Sequence, residues 1–138
     1  MTPWRPTSWL SRIASHQSLR TRRARLVVDA LGEAWQRSDE AALTALLVPD
    51  AAVLVDGGDA AVAVERAVGA GAVARALVRV LDAYPGATVH DAEVNGTPGL
   101  LLRVAERVCG VAAVDVRGRR VRDVWIVVNP EKLTHWNR

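Results

Sequence analysis

At residue 87 the apolar pattern of the sequence changes period. Before that point apolar residues recur at three- and four-residue spacings, and after it they alternate and are mostly valine. The first pattern puts one stripe of a helix into a core; the second puts one face of a strand there. The second half therefore predicts four strands, near residues 87–94, 98–104, 107–116 and 119–129. Asn95-Gly96, Ala105-Glu106, and Arg117-Gly118 or Gly118-Arg119 join them. Connections this short permit only antiparallel neighbours.

In the first half, Leu26, Val27, Ala30, Leu31, Ala34 and Trp35 form one stripe on a helix predicted over residues 19–37. Asp39 and Glu40 place acid at the start of a second helix, predicted to end at 47, before Pro49. Residues 50–56 read as a strand bounded by Pro49 and Gly57-Gly58. Val73, Ala76, Leu77, Val80, Leu81 and Tyr84 give a third helical stripe, closed by Pro85-Gly86. Helices, a strand, a helix and a four-strand meander make an α+β fold, with helices on one face of a curved antiparallel sheet.

The chain has 138 residues, half of them hydrophobic, and one cysteine. A chain of this length buries roughly 65–70% of its unfolded surface, so one domain can form without disulfides. Cys109, in the apolar run Val108-Cys109-Gly110-Val111, reads as a small core residue. No run of 18 apolar residues is present, and the first residues carry prolines, tryptophans and arginines where a signal peptide needs an apolar run. The chain is thus expected to be neither membrane-bound nor secreted, with the cytoplasm as the default. Residues 1–18 read as a flexible basic arm and residues 19–138 as the domain.

The net charge of +3 is unevenly placed. Six arginines and no acid precede residue 26, whereas the remainder carries 12 bases and 15 acids. Arg20, Arg22, Arg23 and Arg25 fall in the early turns of the first helix, where its dipole disfavours cations. An external acidic partner would suit them, as would simple solvation. Nucleic acid is not expected, because no aromatic residue is interleaved with these arginines and the body is acidic.

No serine follows Ser38, which excludes a serine triad in the body. The three histidines are far apart and no Cys-x-x-Cys occurs, so no metal site is predicted, and no cofactor. In the last hairpin, unbroken alternation puts Val108, Ala112, Val114, Val121, Asp123 and Trp125 on one face. With that face under the helices, Asp123 would be the one ionisable inner group, a candidate general acid/base beside Trp125 as a stacking surface. The other reading pairs Asp123 with a neighbouring arginine at the rim and leaves Trp125 in the core. The opposite face would carry Asp115 across from Arg120 or Arg122, and an apolar end of Val124, Ile126 and Val128 suited to a dimer. Asp56 and Tyr84, each closing an element, complete the candidate ligand-binding set with Trp125.

Four segments carry a family resemblance: Trp35 through Leu43 with Leu46-Leu47 and Asp50-Ala51; Val55-Asp56-Gly57-Gly58; Val94-Asn95-Gly96 with Pro98; and Val128-Asn129-Pro130-Glu131-Lys132-Leu133. Over residues 26–135 the chain resembles the SnoaL-like domain of the nuclear transport factor 2-like superfamily. More narrowly, it is similar to the C-terminal extension of actinobacterial extracytoplasmic-function sigma factors. The resemblance implies a cone of helices against a curved sheet, an internal pocket and homodimers through the sheet. In those sigma factors the extension regulates transcription by contacting the sigma core, and carries an Asp-Gly-Gly-Gly-Lys element. Asp56, Gly57 and Gly58 match it, whereas Asp59 and Ala60 replace the last two positions. With 25 residues before the domain, too few for two promoter-binding domains, the chain is expected not to be a whole sigma factor. The superfamily also holds cyclases and isomerases that use a pocket carboxylate, a role for which Asp123 is the positional candidate. The expectation is a binding module, taking a small apolar ligand or a protein of the transcription machinery; the alternative is an isomerase or cyclase.

Overall fold

The computed structural model describes residues 8–57 and 65–137, with side chains from residue 19 onward. Three helices, α1 (Ser8–Gln36), α2 (Glu40–Leu46) and α3 (Ala70–Asp82), pack on one six-stranded sheet. Its strands are β1 (Leu47–Asp56), β2 (Glu65–Val68), β3 (Thr88–Val94), β4 (Thr97–Val104), β5 (Arg107–Arg117) and β6 (Arg120–Val127), in the order β2-β1-β6-β5-β4-β3. A 3₁₀ helix, Pro130–Asn137, ends the chain's described part. The meander β3 to β6 is antiparallel throughout, as its short turns require, and β1 joins β6 in parallel.

The α1 stripe enters the core through Val28, Leu31, Ala34 and Trp35, and α3 through Val73, Leu77 and Val80. They meet Val53, Val55, Leu100, Leu102, Ala112, Val124 and Ile126 of the sheet's inner face. Gly32 lets α1 lie close to β4, since a Cβ there would stand 3.0 Å from Leu100 Cδ2. The Trp35 indole, fully buried, donates Nε1–H to the Leu77 carbonyl at 2.6 Å, locking α1 to α3. Asp39 caps α2, its carboxylate accepting from the Ala42 N–H at 3.1 Å. Gln36 bridges α1 to the edge strand β3, accepting from Val89 N–H at 2.6 Å and donating to the Ala87 carbonyl at 3.3 Å. Backbone groups at that edge are thereby satisfied without another strand.

Beyond the parallel β1–β6 pair in a sheet expected to be antiparallel, four features differ from the sequence expectations. Helix α1 begins at Ser8, inside the segment read as an arm, of which residues 1–7 lie outside the described residues. Strand β1 starts three residues early, carrying Pro49 with a register shift between Leu47 and Ala52. Strand β2 was not foreseen, because Glu65–Val68 is four residues long and half charged. The fourth difference reverses the faces of β6. Arg117 pairs with Arg120 and Val116 with Val121, as the hairpin predicts, but Asp115 then faces Asp123. Arg122 is one residue too many for the ladder, a bulge that shifts every later side chain of β6 to the opposite face. Val124, Ile126 and Val128 therefore lie in the core and not in a dimer patch, while Asp123 and Trp125 lie on the sheet's outer face.

Candidate functional site

The outer face is covered in part by the 3₁₀ helix, whose Leu133 packs with Val94, Leu101, Val108 and Val111. Beside the covered part runs an open groove of about 950 Å³. Arg20, Thr21, Arg23 and Ala24 of α1 form one wall, and the β3–β4 turn from Val94 to Pro98 and the β5–β6 end form the others. Helix α1 is buried from Val27 on, so its preceding turns project past the core with Leu19 and Leu26 exposed. Arg25 pairs with Asp91 of β3 at 3.5 Å. Arg20, Arg22 and Arg23 are exposed and form no ion pair among the described residues.

Trp125, 56% exposed, stands in this groove with Asp123. The Asp123 carboxylate is half-exposed, 3.6 Å from the Arg122 guanidinium and directly across the ladder from Asp115. Like charges in that position destabilise a strand pair, and the Arg122 guanidinium beside Asp123 offsets them. Asp123 thus sits at a charged rim beside an arginine, while Trp125 is exposed and not in the core where the second sequence reading left it. The expected Asp115 pairing with Arg120 or Arg122 is replaced by the facing aspartates, because the turn pairs Arg120 with Arg117 and the bulge takes Arg122 out of the ladder.

Asp56 lies at the other end of the sheet. Its carboxylate accepts from Lys132 Nζ at 2.5 Å, and its carbonyl accepts from Val128 N–H at 2.9 Å. Asn129 Oδ1 then accepts from Glu131 N–H at 3.1 Å and opens the 3₁₀ helix. Two of the resemblance-bearing segments, the Asp-Gly-Gly element and Asn-Pro-Glu-Lys-Leu, are therefore in contact although 76 residues apart. The ion pair is partly solvated and is worth about 0–1 kcal/mol, so it orients the 3₁₀ helix more than it stabilises the fold.

Tyr84, two residues past α3, faces a cavity of about 500 Å³ at this same end, together with Cys109, Val104, Val128 and Leu133. Cys109 is the bulged residue of β5, between Leu102 pairing with Gly110 and Arg103 with Val108, which turns its thiol toward Tyr84. The thiol donates to the Leu102 carbonyl at 3.4 Å. Burial raises the Tyr84 pKa above its usual 10.0, helped by the nearby Cys109 charge, and burial raises that of Cys109 above 9.0 against a smaller opposing backbone hydrogen bond. Both groups bind their protons more firmly folded than unfolded, so stability is fullest below pH 9 and is lost as pH rises through their folded values. Denaturation midpoints should fall above pH 9. Because Tyr84 is the only tyrosine, its phenolate absorbance should emerge at higher pH in the native chain than in denaturant; coincident titrations would contradict the burial.

The candidate residues thus occupy three places: Arg20, Arg23, Asp123 and Trp125 in the groove, Asp56 at the 3₁₀ helix, and Tyr84 at the end cavity. Arg22 and Arg25 stand beside the groove without lining it. The sequence reading missed Lys132 and Asn137 as partners, and Cys109 as Tyr84's neighbour, because no spacing rule joins groups this far apart in the chain. Among the described residues no three metal-binding side chains gather, and no helix is long and apolar enough to cross a membrane.

The sequence matches no protein-family model and no curated protein. Solved structures do match. The extracytoplasmic function sigma factor SigJ of Mycobacterium tuberculosis is similar with a TM-score of 0.63 at 24% identity, over 88% of this chain. This chain spans only 47% of that sigma factor. An NTF2-like protein of Burkholderia xenovorans matches with TM-score 0.56 and 18% identity, over 86% of this chain and 98% of the other. An LEH-like epoxide hydrolase of M. tuberculosis matches with TM-score 0.50 and 16% identity, over 84% and 90%. This chain, with helices on one face of the sheet, a parallel β1–β6 pair and a four-strand meander, matches them in overall fold, and its fold is the nuclear transport factor 2-like fold.

Proposed function

We propose that this chain is a regulatory binding module of transcription that docks onto the promoter-binding part of an extracytoplasmic-function sigma factor. The observation that carries the reading is the exposed trio Arg20, Arg22 and Arg23, without an ion pair among the described residues, on turns of α1 that project past the core. Basic side chains held on a rigid helix, beside an open groove with an exposed tryptophan, suit a protein surface with acidic groups and an apolar anchor. The likeness to SigJ supplies the class of partner. The outer-face strip that the 3₁₀ helix leaves uncovered, Leu54, Val68 and Trp125, is the surface available for a homodimer. A monomeric native mass at micromolar concentration would remove the dimer from this reading.

The test is a calorimetric titration with the separately produced promoter-binding domains of such a sigma factor from the same organism. Wild type should bind with an affinity that falls as salt rises, and the triple variant R20E/R22E/R23E should bind at least about tenfold more weakly. Its melting temperature should stay close to wild type, since exposed substitutions typically move stability by no more than about 0.5 kcal/mol. Absence of wild-type binding, or equal affinity of the variant, would reject the reading.

A further inference from the structure

The cavity at the end of the sheet contains a hydroxyl group with nothing to bond to. Tyr84 Oη is shielded from solvent and is the one buried side-chain polar atom without a hydrogen-bond partner among the described residues. Neighbouring polar groups are already engaged. The Cys109 thiol bonds to the Leu102 carbonyl, and the Asn137 amide accepts from Val108 N–H at 2.7 Å and donates to the Val108 carbonyl at 2.9 Å. What remains around Tyr84 is apolar wall from Val104, Val108, Val128, Pro130 and Leu133, with the exposed Arg107 as the one charged side chain of the lining. An unpaired hydroxyl in such surroundings is costly, and native proteins leave few of them.

We propose that this cavity is a binding site for an uncharged, mainly apolar molecule carrying one hydrogen-bond acceptor, which receives the Tyr84 O–H. A space of about 500 Å³ suits a ligand of one or two rings or a comparable chain. A neutral phenol supplies a donor without a charge, and the apolar walls penalise an anion seated at Tyr84, since the one cation of the lining, Arg107, is exposed to solvent. The 3₁₀ helix forms one wall of the space, supplying Pro130, Leu133 and Asn137, and the space is open to solvent beside it. Eight residues are long for a 3₁₀ helix, whose hydrogen bonds are poorer than those of an α-helix. The segment is fastened mainly by Leu133, Asn137 and the Lys132–Asp56 pair, a small set of contacts to release.

Equilibrium dialysis with 2-acetonaphthone and its isosteric hydrocarbon 2-isopropenylnaphthalene tests the site. Wild type should bind the ketone about three- to tenfold more tightly, the worth of one neutral hydrogen bond. Tyr84→Phe should bind both equally, at the wild-type affinity for the hydrocarbon, with a melting temperature unchanged or raised. In wild type itself the ketone should move the Tyr84 phenol titration to higher pH, and further than the hydrocarbon, which only excludes water, does; this needs no variant. No binding of either compound, no ketone preference, a preference that survives Tyr84→Phe, or tighter binding of 2-naphthoate would each overturn the proposal. The site shares no residue with the α1 surface, so sigma-factor docking and ligand binding stand or fall separately.

Discussion

Replacing Trp35 with alanine should destabilise the fold by about 3–5 kcal/mol. The indole is fully buried among the residues that join α1 to α3, and its Nε1–H reaches the Leu77 carbonyl across 42 residues of chain. Truncation opens a void too large for the helix–sheet core to close and removes the one side-chain hydrogen bond between the two helices among the described residues. Domains of this size hold roughly 5–15 kcal/mol in total, so the variant should lie near the edge of folding. Trp35→Phe keeps most of the volume and should lose about 1–3 kcal/mol. Urea denaturation followed by circular dichroism, with an unchanged slope, measures both. A loss below about 2 kcal/mol for the alanine variant would mean that the α1–α3 contact does not organise the core.

Trp35 also marks what was legible from sequence. The stripes of α1 and α3 were readable because each helix buries one side against the same sheet, and spacing alone reports that geometry. The order of the meander was readable because its two-residue turns leave no other pairing. Strand direction at β1 was not, since β1 reaches β6 in space only after the intervening α3 and meander have folded. The inner and outer faces of β6 were misread for a local reason. Val121 is buried at an odd position, whereas Val124, Ile126 and Val128 are buried at even ones. That break of parity within one strand is the signature of the Arg122 bulge, and alternation counted from the turn steps over it.

The consequence for the site is direct. Once the faces of β6 exchange, Asp123 and Trp125 leave the interior and join Arg20 and Arg23 along the groove. Tyr84 was readable as the end of a helical stripe. Its unpaired hydroxyl was not, because the side chains that surround it come from β4, β5, the residue after β6 and the 3₁₀ helix. Lys132 stood in the motif that carries the resemblance, yet its partner Asp56 lay in another such segment, and only the folded chain joins them.

Gly99 is the position where the smallest substitution should do the most damage to the sheet. It occupies the outer face of β4, opposite Ala92 on β3 and Ala113 on β5. A Cβ there would lie 2.6 Å from Val94 Cγ2 and 2.7 Å from the Ala112 carbonyl oxygen, both closer than real contacts allow. A side chain can turn aside, but the carbonyl belongs to the β4–β5 ladder and moves only with the strand. Gly99→Ala should therefore cost about 1–3 kcal/mol despite adding one methyl group, and Gly99→Val more. Gly96→Ala, in the turn just before, meets nothing within 4 Å and bears only the strain of a positive φ. Pairing Gly99→Ala with Val94→Ala separates the two contacts, since trimming Val94 relieves the first and leaves the second. Partial recovery in urea denaturation is the expected result. Full recovery would show that the strand backbone yields, and that the ladder holding Asp115 at the groove and Cys109 beside Tyr84 is softer than its packing implies.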